Sequence, residues 1–584
     1  MRRLRARLHV LGALAGGALV GVSLPPIGEW PMAVIGVAAI AWALGGRSLR
    51  SRLGLGMLAG IGQFSISLAW AIQFNTGGYI ALVLVESLFI AVACVLVPPG
   101  RGRLPALTGA LVLAEFARES WPFGGLPLGG LALGQMGGPI GATARIGGPL
   151  LVVGVTVLAG AAIAAALPQQ SATAAAGSAG ATATGAGATG AATAQAPPAA
   201  ESHRTWRRAP KTRRKPKSQR KSNARARRAA AASKARATGA TSRLGARVAA
   251  IAGIAVTAAI SVAGIFGPNG ANGAGGARPT MAANNTPIRV AIVQGGGQRG
   301  LDQLQVPPSV VFAAAVNATR LVPAGVQLIL WPEDVVGLNV PFVGSSAERT
   351  MAAIARSHHA TLVGGVTYPV DATQFRNEIV AFSPGGALVA TFEKVHRVPF
   401  GEYVPDRGFF KHLANLKDIP RDAIAGHGSG MMATPIGRAA VLVSYEVFFA
   451  NRGRSGVRAG GRIIFVPTNT SSYTSEQAPS QEIAASRLQA IEEGRFVLQA
   501  APTGYSAVVD NKGNVLQATP LSSRAILTAT VPLLSGATWY ERFGDEPVLL
   551  ASLALVAAGW LLALSRRKLR RASQPRHRRT SPSS

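Results

Sequence analysis

The run AAVLVSYEVFF (Ala439–Phe449), and within it VLVSYEVFF (Val441–Phe449), decides the fold. Five small or apolar residues read as a buried strand, and the strand ends on Ser444, with Tyr445 and Glu446 next. A hydroxyl at a strand-to-turn junction suits a nucleophile, and the next backbone N–H is placed to receive an oxyanion. In isolation the plainer reading is a small residue in a tight turn. Two stretches upstream also sit at strand ends: WPED (Trp331–Asp334) and EKVHRVPFGEYVP (Glu393–Pro405). The one cysteine, Cys94, lies far away in an apolar stretch, so no thiolate serves these segments. A single cysteine also excludes an internal disulfide framework, a cysteine-rich zinc site and an iron–sulfur cluster.

Of the 584 residues, 48% are hydrophobic and 14% charged, a pairing that points to membrane spans. Apolar runs of spanning length are expected at Leu8–Leu24, Leu53–Ile72, Tyr79–Val97, Gly147–Leu167, Val248–Phe266 and Val548–Leu564. Shorter ones, open to a re-entrant reading, fall at Pro31–Leu44 and Leu104–Phe116. The basic-then-apolar start lacks a signal-peptide cleavage site followed by soluble sequence. Net charge is +34, but it is concentrated: Arg204–Arg247 holds 17 Lys/Arg, and no acidic residue occurs from Ser202 to Leu301. With eight spans and a cytoplasmic N-terminus, every basic cluster falls on the cytoplasmic side, the RRKLRR tail included. That topology puts residues 268–547 outside the cytoplasm.

These readings divide the chain into a transmembrane region of about six spans (1–167), a disordered basic cytoplasmic linker (168–247), a span (248–266), an extracytoplasmic domain (286–531), a final span (548–564) and a basic tail (565–584). The linker is low in complexity and cannot bury a core. Attraction to anionic membrane lipids and a solubilising topology anchor both fit it, and the anchor is the simpler. Nucleic-acid recognition is not expected.

From Thr286 to Val531, β-rich runs recur at Ile288–Val293, Val326–Leu330, Ala360–Val366, Glu378–Phe382, Ala439–Val443, Ile463–Val466, Phe496–Ala500 and Tyr505–Val509. Helical stretches at Ser309–Leu321, Ser345–Ser357 and Ser480–Gly494 lie between some of them, which predicts a layered α/β domain. Glu333 follows the apolar strand VQLILW, where burial raises a carboxyl pKa and suits proton transfer; a plain loop carboxylate is the equal alternative. Lys394 precedes a segment stiffened by two prolines and a glycine, so it suits oxyanion stabilisation, or is a solvated charge. Glu402, eight residues on, suits holding Lys394 or a substrate amine, or is a surface residue. Glu492, in SRLQAIEEGRF, is structural or an orienting group. QGGGQRG (Gln294–Gly300) has neither Walker nor dinucleotide spacing and reads as a turn.

In order, SWPFGGLPLGGLALGQ (Ser120–Gln135), WPED, EKVHRVPFGEYVP, VSYEVFF, SRLQAIEEGRFVLQAAPTGYSAVV (Ser486–Val509) and WYERFG (Trp539–Gly544) resemble the apolipoprotein N-acyltransferase family. That resemblance implies a membrane protein: an eight-helix transmembrane bundle with an inserted extracytoplasmic nitrilase-like α/β (αββα) domain, in the bacterial cell membrane with both termini cytoplasmic. It implies Glu333 as general base, Lys394 as oxyanion stabiliser and Ser444 at the nucleophile position. Glu402, Tyr445 and Glu446 match further positions of the family's pocket. The implied reaction moves an acyl chain from a phospholipid, through an acyl-enzyme, to the α-amine of the diacylglyceryl-cysteine of a prolipoprotein, with no cofactor and no metal.

The departure is the nucleophile. The family uses a cysteine, partly thiolate near neutral pH, whereas a serine needs a neighbouring base during attack. Its intermediate is an oxoester, less reactive toward amines than a thioester. Two outcomes follow: a serine-dependent acyltransferase, or a fold that has lost this chemistry and acts as a membrane scaffold or lipid-binding partner. A polyprenol-phosphate mannosyltransferase is the candidate partner for the scaffold. A soluble carbon–nitrogen hydrolase is disfavoured, since it too depends on cysteine and has no need of eight spans.

Overall fold

Long apolar helices dominate the N-terminal part of the computed structural model, which describes residues 2–100, 102–166, 251–265, 280–281, 287–412, 416 and 419–572. The helices are α1 (Arg2–Val22), α2 (Pro31–Ala43), α3 (Leu49–Ser67), α4 (Thr76–Leu96), α5 (Arg103–Arg118) and α6 (Ala144–Ala166). Helix α7 (Ile251–Ile265) follows the expected linker, which lies outside the described residues. Three stretches among the described residues are long and apolar enough to cross a membrane: Thr76–Leu96, Pro139–Ala166 and Glu546–Ser565. The last belongs to the C-terminal helix, whose Leu550, Leu553, Leu561 and Leu562 are exposed, as a lipid-facing surface requires.

Local chemistry sets the helix ends. Asn75 caps α4 by accepting the Gly78 N–H at 2.7 Å, and Ser48 caps α3. Helices α1 and α3 pack closely because Gly17 and Gly62 leave room for the facing backbone. Helix α6 departs from helical geometry at Gly147 and Gly148, just before Pro149. At Gly148 (φ +65°) the Tyr540 ring fills the space a Cβ would take.

A buried ion network locks this body. Arg118, fully buried, donates from Nε to Glu86 Oε2 at 2.7 Å and from Nη1 to Glu115 Oε1 at 3.1 Å. Its Nη2 reaches the Leu128 carbonyl at 2.5 Å, tying α4 and α5 to the following loop. Removing one partner of a buried pair costs about 3–5 kcal/mol, because a charge is left alone. An Arg118→Met variant of the full chain in detergent is therefore expected to unfold at markedly lower temperature. Unchanged thermal unfolding would show the network to be dispensable.

The second part is an α/β sandwich. Its strands are β1 (Ile288–Gln294), β2 (Leu328–Leu330), β3 (Thr361–Pro369), β4 (Gln374–Phe382), β5 (Leu388–Glu393), β6 (Met431–Thr434), β7 (Gly437–Val441), β8 (Ile464–Pro467), β9 (Val497–Ala500), β10 (Ala507–Val509), β11 (Val515–Ala518) and β12 (Ala525–Val531). One sheet runs β12-β1-β2-β3-β4-β5 and the other β11-β10-β9-β8-β7-β6. The central pairs β1/β2, β2/β3, β7/β8 and β8/β9 are parallel. Between the sheets lies a core that includes Val290, Ile292, Leu330, Ile379, Val441, Phe465 and Leu498. Helices α8 (Pro308–Thr319) and α9 (Ser346–His358) cover the first sheet, burying Ala315, Met351 and Ala355 against Ile329 and Leu362.

Helix α11 (Gln477–Glu493) covers the second sheet, with α10 (Ala450–Arg458) beside it. Its other side meets the membrane body. Gln477 Oε1 accepts the Trp70 N–H at 2.8 Å, and Gln481 bridges the Gly129 N–H and the Ser67 carbonyl. Arg145, opening α6, donates to the Asn511 carbonyl, and α12 (Glu546–Ala572) leaves after the WYERFG turn. The sandwich is thereby fixed on the helical body through buried polar contacts.

Candidate active site

Three strand ends converge. The first carries Glu333. Strand β2 is wholly buried, and Trp331 leaves it with its N–H on the Val363 carbonyl (2.8 Å) and its indole on Thr319 Oγ1 (2.9 Å). The Gly365 N–H then holds the Pro332 carbonyl at 2.9 Å. A Cβ on Gly365 would stand 2.6 Å from Glu333 Cα, so only glycine lets the neighbouring strand approach this turn. Glu333 ends 4% exposed.

Lys394 leaves β5, its N–H on the Asn377 carbonyl (3.0 Å). Its Nζ donates to Glu333 Oε1 at 2.8 Å and to Glu402 Oε1 at 2.7 Å. Asn377 Nδ2 donates to the same two oxygens, at 2.9 and 3.0 Å. The second carboxylate oxygen of Glu402 accepts the Val398 N–H at 2.8 Å and closes the turn that carries it. Of the readings left open for Glu402, the structure selects a partner for Lys394.

Burial alone would pull the Lys394 ammonium down, but the carboxylates of Glu333 and Glu402 overturn that and hold it above its ordinary range. Burial holds Glu333 above the usual carboxylate range, Lys394 opposing and Glu402 adding to the effect. One buried cation thus serves two carboxylates.

Ser444 follows β7 in the left-handed region (φ +48°), a strained place for a non-glycine residue and one common at functional sites. Thr468 follows the adjacent parallel strand β8, so the two hydroxyls meet at neighbouring carboxyl ends, 3.2 Å apart. Thr468 Oγ1 also donates to Glu482 Oε1, from the buried side of α11. Burial lifts the Glu482 carboxyl to about 8, with the Thr468 hydroxyl opposing and the negative charge of Glu333 adding to it.

Glu446 is fully buried and braces the backbone. Its Oε1 accepts the Val395 and His396 N–H groups at 2.9 and 3.0 Å, and its Oε2 accepts the Val443 N–H at 2.9 Å. Arg452 Nε lies 3.4 Å from Oε1. The carboxylate therefore ties the segment after Lys394 to the segment before Ser444. Tyr445 turns toward the helical body and donates to the Gly125 carbonyl at 2.7 Å; Tyr403 donates to the Phe123 carbonyl at 3.2 Å. Phe123, Phe400 and Phe410 pack edge-to-face at 4.9–6.1 Å between centroids, so the membrane-side loop and the 395–412 arm share one aromatic cluster.

The structure brings Glu333, Lys394 and Glu402 into direct contact. It joins Glu446 to both the Lys394 and Ser444 strand ends and turns Tyr445 outward to Gly125. Asn377, Thr468 and Glu482 were not legible as site residues. Asn377 and Thr468 belong to neighbouring strands, and only the pairing order β4/β5 and β7/β8 makes them neighbours. Glu482 had one signal, a carboxylate beside Gln481 in a helix with little exposed polar surface. Glu492 lies ten residues along α11 from Glu482, about 15 Å of helix rise, among Glu493 and Asp545. The QGGGQRG stretch is a loop after β1, its Gly296 N–H on the Pro502 carbonyl.

The carbon–nitrogen hydrolase family model matches residues 289–541, and the apolipoprotein N-acyltransferase N-terminal domain model matches residues 16–162. The apolipoprotein N-acyltransferase of Geobacter metallireducens is 28% identical over 285 residues, 47% of this chain and 53% of that protein. The one from Mycolicibacterium smegmatis is 30% identical over 301 residues, 48% of this chain and 49% of that protein. The match spans about half the length of these curated relatives. The crystal structure of Saccharomyces cerevisiae Nit3, a nitrilase-superfamily member, is 18% identical, covers 43% of this chain and 93% of that one, and has a TM-score of 0.34. With a region matching the apolipoprotein N-acyltransferase N-terminal domain joined to one matching the carbon–nitrogen hydrolase model, the chain belongs to the apolipoprotein N-acyltransferase family.

Proposed function

We propose that this protein transfers an acyl chain from a phospholipid to the α-amine of the N-terminal diacylglyceryl-cysteine of lipoproteins, through an acyl-enzyme on Ser444. The observation that carries the reading is the buried Lys394, shared by Glu333 and Glu402 and tied through Glu446 to the Ser444 turn. In this reading Ser444 attacks the ester carbonyl. The Lys394 ammonium and the Tyr445 backbone N–H receive the developing oxyanion, and Glu333 is the general base. Glu402 keeps Lys394 charged and aimed. Tyr445 and Glu446 position the turn.

The membrane setting supports a lipid substrate. Tyr445 and Tyr403 both bond to the loop after α5, so the segments that carry Ser444 and Lys394 adjoin the helical body. We assign eight spans with both termini cytoplasmic and the α/β domain (286–531) extracytoplasmic. That assignment is supported by the basic linker and tail on one side, and by a domain side without comparable clusters.

The second reading is a non-catalytic scaffold or lipid-binding partner, favoured by one observation: an oxygen stands at Ser444 where a thiolate would be the stronger nucleophile. Wild type, Ser444→Ala and Ser444→Cys in cells lacking their own enzyme separate the two. Mass spectrometry of lipoprotein N-termini is expected to show N-acylation with wild type and none with the alanine variant. Wild type and alanine equally inactive would sink the catalytic reading.

A further inference from the structure

No histidine among the described residues is hydrogen-bonded to Ser444. Among the described residues, the hydrogen bond recorded for its Oγ is with Thr468 Oγ1, at 3.2 Å. Thr468 has a single hydroxyl hydrogen, and the shorter of its two contacts runs to Glu482 Oε1. With that hydrogen on the carboxylate, Thr468 Oγ1 is left to accept the hydrogen of Ser444. The order Ser444 O–H to Thr468 O–H to Glu482 carboxylate then satisfies each donor once. Glu482 is 2% exposed, and its Oε2 is buried without a hydrogen-bond partner. A buried carboxyl with one oxygen unpaired is costly, and such groups cluster at functional sites.

We propose that Thr468 and Glu482 form a proton relay that activates Ser444, giving this chain a hydroxyl nucleophile in place of a thiolate. The inference rests on the acyl-transfer reading above and assigns the serine proton to Glu482, leaving the Glu333–Lys394 pair to the donor and acceptor. In the first half-reaction the Ser444 Oγ–carbonyl carbon bond forms and the ester bond to the phospholipid glycerol oxygen breaks. The Ser444 proton passes to Thr468 as the Thr468 proton passes to Glu482, and the departing glycerol oxygen takes a proton from the Glu333–Lys394 pair. In the second half the lipoprotein amine forms its bond to the acyl carbon and gives a proton back to that pair. The Ser444 ester bond breaks, and Glu482 returns its proton through Thr468 to Ser444 Oγ. Every group ends as it began.

Among the described residues, four groups act on Glu482. They are the Thr468 hydroxyl from the end of β8, Glu333 and Lys394 across the pocket from the first sheet, and Tyr473 from the loop before α11. Glu482 is the proton acceptor only when ionised. The relay-dependent rate therefore rises as pH rises through about 8 and levels off above it.

The test uses the full-length protein in phosphatidylethanolamine vesicles with a diacylglyceryl-cysteine peptide. Rates are measured from pH 6 to 9.5, roughly the window around that acid. Glu482→Gln and Thr468→Val are expected to lower kcat by roughly 100-fold or more, with little change in KM, and to flatten the rising limb. Ser444→Cys/Glu482→Gln is expected to recover most of the activity of Ser444→Cys, because a thiol ionises without the relay. Wild-type rate and profile in Glu482→Gln would overturn the relay and leave the acyltransferase standing. Loss in both Glu482→Gln and the double variant would overturn it in favour of a packing role. An inactive wild type beside an active Ser444→Cys would overturn both the relay and the serine reaction.

Discussion

A Lys394→Met variant is expected to lose the proposed acyl transfer entirely and about 3–5 kcal/mol of stability. The lysine is 1% exposed, with carboxylate oxygens at 2.8 and 2.7 Å. Methionine fills the volume but leaves the buried Glu333 and the mostly buried Glu402 facing each other without a cation. One carboxyl then takes up a proton, and the oxyanion loses its charged donor as well. The two losses are separable. Lys394→Met/Glu333→Gln/Glu402→Gln removes every charge together, and a buried cluster replaced as a whole is often close to neutral. That triple variant should regain most of the thermal stability and none of the activity. Full stability in the single variant would mean that the cluster is hydrated, and the electrostatic account of the site would fall with it.

Much of this arrangement was legible in the sequence, for a physical reason. Buried strands announce themselves as short β-rich runs, and each of the eight runs named from the sequence holds a strand. Candidate residues at strand ends inherit that legibility, which is how Glu333, Lys394 and Ser444 stood out. Strands with little burial were missed. In β11 all four residues are exposed, and β5 and β12 are only partly buried, so no buried apolar run marks them. Helix α10 (ANRGRSGVR) was missed because two glycines, an asparagine and a serine in nine residues lower its helix propensity. The sequence also says nothing about which strands lie side by side. Asn377 reaches Glu333 only because β4 pairs with β5 and β3, and Thr468 meets Ser444 only because β7 and β8 run parallel. The first part reads less sharply, since apolar composition marks helices without fixing how many cross a membrane. Three reach spanning length and hydropathy among the described residues, and several others are shorter.

Glu446→Ala is expected to abolish activity without touching any group that meets substrate, and to loosen the arm from Val395 to Pro405. Its carboxylate satisfies three backbone N–H groups from two separate segments, at 2.9, 3.0 and 2.9 Å. Each buried donor left without an acceptor costs about 1–3 kcal/mol, so the loss is comparable to removing a core side chain. The damage is also directional. Val395 and His396 follow Lys394 directly, and Val443 precedes Ser444, so the bridge ties the Lys394 segment to the Ser444 turn. Displacement by a fraction of an ångström lowers kcat more than it weakens substrate binding. Glu446→Gln sharpens the test. The amide oxygen still accepts from Val395 and His396, but the amide nitrogen then faces the Val443 N–H, donor against donor. The glutamine variant should keep the arm protected from hydrogen exchange while its kcat falls, and the alanine variant should lose both. Wild-type exchange at residues 395–405 in Glu446→Ala, together with retained turnover, would show that the arm holds its position without the bridge.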